Sequence, residues 1–438
     1  GMSERSDANG ADRGLAELRR RMHERLLESM DFGAAIRMSK EQLFVECSGR
    51  VQDMLERSGH PLNADVRRRL IREVLDEVFG LGPLEPLFED DEVSDILVNG
   101  PDSIFVERLG VLRPAGVRFR DDEHLMNVVQ RIVRNSGRRL DERSPMVDVR
   151  LADGSRVNVI IPPLALEGPQ LSIRRFSGVP FDLERLQGFG SMGPETGHLL
   201  RAAVSGRLNI VISGGAGVGK TTLLNALSAD IGARERVITI EDAAELQLLG
   251  SHVVRLETRP VNLEGVGAID ARALVRNALR MRPDRIIVGE CRGAEAFDML
   301  QAMNTGHDGS MTTLHANSAK DAVHRLESML SMSGFDVPIN ILRDYIASAM
   351  DLVVHMVRLP DGRRIIGDVS EVASHDGEGI RLRSLHRFRL DGIVDGRTEG
   401  AFETTGVVPD FLERIRARGV EIDAEVFEAG ERPVEVAS

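Results

Sequence analysis

The chain has 438 residues, 42% hydrophobic and 29% charged, enough apolar material for roughly three domains at about 150 residues each. Its net charge of −13 and aromatic content of 4% exclude a general nucleic-acid coating protein and a base-stacking platform for single strands. No apolar run approaches the ~18 residues of a membrane span, no apolar signal core opens the sequence, and Cys47 and Cys291 make no disulfide framework, so a cytoplasmic protein is expected.

Residues 1–82 read as a helical bundle with a disordered start. Leu15, Leu18, Met22, Leu26 and Met30 recur at helical spacing. Ser39 and Gln42 form a capping-box pattern ahead of a second apolar face at Leu43, Cys47, Val51, Met54 and Leu55. A third helix follows Asn63 through Val66, Leu70, Val74 and Val78, until Gly80, Gly82 and Pro83 stop it. Three such helices make a small bundle or arms that dock on a partner.

Residues 83–187 read as an α+β domain. Ser94–Asn99 and Ser103–Arg108 are strands about a Gly-Pro-Asp turn, Asp121–Ser136 is a helix, and a hairpin turns at Ala152-Asp153-Gly154. Leu171–Phe176 adds a strand, and the glycines and prolines between Ser177 and Pro194 suggest an interdomain linker. Residues 188–438 then alternate. Strands at Leu208–Ser213, Val237–Ile240, Arg285–Gly289 and Ser310–His315 are each followed by a helix, starting near Lys220, Asp270, Ala294 and Ser318. That pattern is an α/β sheet with helices on both faces. Two strands joined at Pro360-Asp361-Gly362 follow.

Of the 56 basic residues only Lys40, Lys220 and Lys320 are lysines, and Lys220 sits in a complete phosphate-loop motif. The run Gly214-Gly215-Ala216-Gly217-Val218-Gly219-Lys220-Thr221-Thr222 lies between a strand and a helix. Its glycines let backbone N–H groups point at phosphate oxygens, Lys220 reaches the β- and γ-phosphates, and the Thr221 hydroxyl suits Mg²⁺. No base-reading motif of the GTPase kind accompanies it, so ATP is the expected nucleotide. Glu241, Asp242 and Glu245 follow a strand, where a carboxylate can orient the water that attacks the γ-phosphate. Glu290 ends the apolar strand Ile286–Val288 in the form of a Walker-B acid that holds Mg²⁺ through water. His307 and His315 flank the next strand, positioned to sense the γ-phosphate. Arg174 and Arg175 are candidate arginine fingers. Arg272, Arg276 and Arg280 share one helix face that can meet nucleotide phosphate or acids of a neighbouring subunit.

The order GGAGVGKTTLLNALS, TIEDAAELQL and ALRMRPDRIIVGECRGAEAFDMLQAMNTGHDGSMTTLHANS resembles the secretion-ATPase superfamily, from about Leu84 onward. The resemblance implies a RecA-like P-loop NTPase domain behind an α+β (PAS-like) domain, Glu245 as catalytic glutamate, Glu290 as Walker-B acid, and His307 with His315 as the His-box pair. One cysteine after the Walker-B region, where the type II branch carries a four-cysteine zinc element, speaks against that branch. SDILVNGPDSIFVERLG and DERSPMVDVRLADGSRVNVIIPPLALEGPQLSIRRF resemble the CpaF/TadA-type ATPase of Tad (Flp) pilus assembly. A type IV secretion ATPase is the first alternative, ahead of a RecA-like DNA motor and a non-hydrolysing nucleotide-binding scaffold. Either resemblance implies an ATP- and Mg²⁺-dependent homohexamer at the cytoplasmic face of the inner membrane. It would touch the membrane only through integral platform proteins, with no nucleic-acid partner. Hydrolysis would then change the angle between the two ATPase domains about the linker.

Overall fold

The computed structural model describes residues 18, 21–23, 25–26, 28–29, 40–58, 63–108, 111–136, 138–176, 181–250, 252–259, 267–334, 337–375 and 379–433. Ser39 of the capping-box pattern and residues 177–180 of the linker lie outside them. The chain divides into two compact units, residues 1–178 and 179–438.

In the first unit the amphipathic stretches near the N-terminus close on one core. Leu18, Met22 and Leu26 are buried with Cys47, Val51 and Leu55 of the helix Lys40–Arg57 and with Leu70, Val74 and Leu75 of the helix Ala64–Phe79. The apolar faces therefore cover one another as a bundle. Asn63 caps the last helix by accepting from the Val66 N–H, as its position before the periodic run predicts.

The rest of the unit is a six-stranded antiparallel sheet, with β1 Val93–Val98, β2 Ile104–Arg108, β3 Val111–Pro114, β4 Met146–Arg150, β5 Arg156–Ile160 and β6 Gln170–Arg174. The spatial order is β3-β2-β1-β6-β5-β4. The helix Asp122–Asn135 lays Leu125, Val128, Val129 and Ile132 against Ile96, Val106, Val157 and Leu171, which gives the expected α+β layer. β3 was not expected, because all four of its residues are exposed and it shows no apolar alternation.

The second unit is built on a ten-stranded sheet. Its strands are β7 Ile210–Gly214, β8 Val237–Glu241, β9 Val253–Glu257, β10 Arg285–Val288, β11 Met311–His315, β12 Leu352–Arg358, β13 Arg364–His375, β14 Ile380–Val394, β15 Arg397–Thr404 and β16 Gly430–Pro433. The order is β16-β15-β14-β13-β12-β7-β11-β10-β8-β9. The run from β12 to β9 is parallel and the tail from β13 to β16 is antiparallel. Strand β11 lies between β7, which leads into the glycine-rich loop, and β10, a RecA-like order.

Alternation along the central strands makes two cores. Ile210, Ile212 and Ile287 face the helices Pro194–Ser205 and Lys220–Ser228, while Val211, Ile286 and Val288 face the helices Glu295–Asn304 and Ala319–Ser331. Strands apolar on both faces are the mark of a covered parallel sheet. Leu183 and Leu186 of the short helix Leu183–Gly188 are buried in the first of these cores. That part of the expected linker therefore belongs to the second unit, which begins before residue 188.

Candidate functional site

Parallel strands bring their C-terminal ends to one edge, and that edge collects the chemistry. β7 ends at Gly214, β11 at His315 paired with Gly214, β8 at Glu241, and Glu290 follows β10 by two residues. The loop from Gly215 to Gly219 leads into the helix Lys220–Ser228. Gly219 sits left-handed at its N-cap, with φ of 98°. A side chain at Gly214 would meet the Met356 carbonyl oxygen at 2.6 Å and Val218 Cγ2 at 2.7 Å, so the motif's first glycine is required by the neighbouring strand β12.

Lys220 is buried at 8% exposure. Its Nζ donates to the carbonyls of Gly214 at 3.0 Å and Gly215 at 2.7 Å, and stands 3.2 Å from His315 Nδ1. Burial holds its pKa below the ordinary lysine value, with Glu290 pulling it back up and Arg292 adding to the depression. A lysine has only protons to give, so Nδ1 of His315 accepts and the ring proton sits on Nε2. That Nε2 lies 3.0 Å from Glu290 Oε1. The pair attracts but is not aligned as a hydrogen bond, and Oε1 is buried with no hydrogen-bond partner. Such an orphaned carboxylate oxygen, close to the first turn that carries Lys220 and Thr221, fits a hard divalent cation or a water bound to it.

The acid that ends β8 and the two that follow it divide their tasks. Glu241 is buried, and its Oε1 accepts the backbone N–H groups of Glu245 and Leu246, each at 2.8 Å. Burial raises its pKa against the pull of those two donors, and its Oε2 has no hydrogen-bond partner. Glu241 thus pins the loop that carries the half-buried Glu245. Asp242 is exposed and accepts from Arg292 Nη1 at 3.3 Å. Arg292 was not singled out in the sequence, though an arginine two residues beyond a strand-capping acid was the available signal. Cys291 is packed as a filler, its thiol pushed up to about 12 by burial.

One candidate from the sequence lies away from this edge. His307 precedes β11, and nearby Ser310 accepts from the Ile210 N–H at the start of β7. Five strand residues, about 16 Å, separate that end of the sheet from His315. The His307 Nδ1 is buried without a hydrogen-bond partner. The arginine stripe also has a local answer, since Arg272 and Arg276 donate to Asp298 at 2.8 and 2.9 Å. Asp298 is buried on the neighbouring helix, and those two guanidiniums neutralise it.

In the first unit the adjacent candidate fingers differ. Arg175 donates to the carbonyls of Phe88, Asp90 and Val93 and lies over the Phe88 ring, so its head is committed within its own fold. Arg174 is 61% exposed, with one Asp95 contact at 3.4 Å. It stands directly opposite Arg156 on β5, which in turn is opposite Arg150 on β4, all three exposed. Like charges in register repel, and on the other side of Arg174 the Asp95 carboxylate in register on β1 offsets part of that repulsion. Arg150 and Arg156 flank the Asp153 turn symmetrically, which is how the sequence could have shown their pairing.

The profile of the type II/IV secretion system protein family matches residues 77–386. A Mycobacterium tuberculosis protein named for conjugal transfer is 38% identical over 325 residues, covering 73% of this chain and 92% of its own length. The type IV secretion system protein VirB11 of Brucella suis is 32% identical over 305 residues, covering 64% of this chain and 84% of its own. The crystal structure of a Brucella suis VirB11 ATPase with sulphate aligns with a TM-score of 0.36 at 31% identity, over 68% of this chain and 97% of that one.

Proposed function

The chain belongs to the type II/IV secretion system protein family, and we propose that it hydrolyses ATP to drive a type IV secretion or conjugal-transfer machine. The observation that carries the reading is the cluster of Lys220, His315 and Glu290 at the end of the phosphate-loop strand. The names of the matched relatives favour conjugal transfer and type IV secretion over the Tad pilus expected from the sequence.

In the proposed reaction, backbone N–H groups of residues 215–221 hold the β- and γ-phosphates, and Lys220 leaves the two loop carbonyls for the phosphate oxygens. Thr221 and, through water, Glu290 would hold Mg²⁺, whose charge would offset that of the phosphates. Glu245 orients the attacking water, in a loop set by Glu241. His315 links Lys220 to Glu290, and the exposed Arg174 is the candidate that would supply positive charge to the transition state. His307 serves a role outside this cluster. The working form is a homohexamer at the cytoplasmic face of the inner membrane, coupled to integral platform proteins. Among the described residues no helix is long and apolar enough to cross a membrane.

A Tad pilus motor is the second reading, favoured by the helical bundle whose core lies before the matched region beginning at residue 77. Deletion of the chain in its host separates the two. Loss of DNA transfer or protein export with pili intact is expected, restored by the wild type and not by Lys220→Ala. Loss of surface pili with transfer and export intact would overturn the first reading.

A further inference from the structure

The acid that follows β10, Glu290, already holds a cation that belongs to the chain. Arg292 Nη2 donates to Glu290 Oε2 at 2.6 Å, and Nη1 donates to Asp242 Oδ2 at 3.3 Å. One planar guanidinium therefore spans the acid after β10 and an acid after β8, a geometry a lysine cannot reproduce. The fork sits largely in solvent, with the Arg292 side chain 62% exposed and Asp242 55%, whereas Glu290 is only 19% exposed. Exposed ion pairs are weak and exchange partners readily. The other Glu290 oxygen, Oε1, is the buried one without a hydrogen-bond partner.

We infer that Arg292 is a stand-in cation, holding Glu290 and Asp242 together until a divalent cation arrives and then releasing Glu290 to it. The inference rests on the reading of Glu290 as the acid that holds Mg²⁺. A dication and a guanidinium on one carboxylate repel at a separation of a few ångströms, so the two compete for it. Lys220 stands close enough to feel both charges, its ammonium being favoured by Glu290 and disfavoured by Arg292. Uptake of the metal with the nucleotide thus replaces one cation, and Arg292 is free to turn outward with Asp242. A fixed brace that merely positions Glu290 predicts the opposite sign for removal of Arg292, because the acid would lose its orientation and bind the metal less well.

Mn²⁺ binding to the full chain with saturating ADP, read from the free-ion electron paramagnetic resonance signal, distinguishes the two without any turnover. Arg292→Ala is expected to bind Mn²⁺ about twofold to fivefold more tightly than wild type, the scale of one exposed ion pair. Arg292→Gln, which keeps most of the stem, must show the same tightening, and Arg292→Lys falls between, since a point charge holds one acid rather than both. Equal or weaker binding in folded Arg292→Ala and Arg292→Gln overturns the inference and leaves the ATPase reading standing. A wild type with no ADP-dependent Mn²⁺ site that Glu290→Gln weakens overturns the ATPase reading, and this inference with it.

Discussion

Lys220 contacts two loop carbonyls and His315 at once, so its substitution changes both the charge and the shape of the phosphate loop. The pocket is sized for a compact ammonium, and a guanidinium is planar and wider. Lys220→Arg therefore weakens ATP binding at least about tenfold despite keeping the charge, the loss of roughly one or two charge-assisted hydrogen bonds; titration with a fluorescent ATP analogue checks it, and wild-type affinity contradicts it. The neighbouring arginines give a sharper contrast. Arg175→Ala removes three hydrogen bonds to part-buried carbonyls and should lower the unfolding free energy of the first unit by about 1–3 kcal/mol. Arg174→Ala removes an exposed contact and should change stability by less than about 1 kcal/mol while reducing phosphate release. Denaturant melts and rate measurements on the two variants test the pair, and the reverse pattern refutes the assignment. The sequence could not separate the two arginines, because the carbonyls that bind Arg175 come from a distant turn at residues 88–93. The same limit applied to Arg292, to Asp298 and to the two histidines: a motif fixes residue order, whereas the strand direction decides which end of the sheet each residue reaches. The phosphate loop was legible because each position answers to local backbone demands, as Gly214 and Gly219 show.

Elements with a buried face declared themselves by periodicity, and those without one did not. The helix Asp122–Asn135 and the strands β7 and β10 matched their expected places, while β3 and the edge strand β9 show little buried alternation and passed unnoticed. One element carries a pH dependence of its own. Asp76 lies in the last turn of the helix Ala64–Phe79, where a negative charge opposes the helix dipole. Burial, together with Glu85 and Glu89 across the turn, raises its pKa to about 7. The folded state keeps a proton that the unfolded chain, with a carboxyl near about 3.9, has released. Stability from this group is thus present at acid pH, is lost as pH rises from about 4 to about 7, and is level above that range. Asp76→Asn removes the loss, so its melting temperature should exceed that of wild type at pH 8 by more than at pH 4. An unchanged difference between the two pH values would refute this assignment.

At the scale of the whole molecule, the bundle, the antiparallel sheet and the two faces of the ten-stranded sheet each have a core of their own. That division follows from composition and pattern, since each stretch carries enough apolar residues for its own core. The division into compact units was less legible. Glycine and proline density marked a linker through Pro194, yet Leu183 and Leu186 pack into the second unit because their spacing makes a one-sided helix. All parts of the account depend on the edge formed by β7, β11 and β10 being a place where ATP is cleaved. Multiple-turnover phosphate release by the full chain with Mg²⁺ and ATP, beside its Glu290→Gln variant, tests that most directly. The account predicts many phosphates per chain from the wild type and a rate at least about a hundredfold lower from the variant, the scale of removing one group that acts in the transition state. A wild type that stops within one turnover, or a variant that keeps pace with it, would contradict the account.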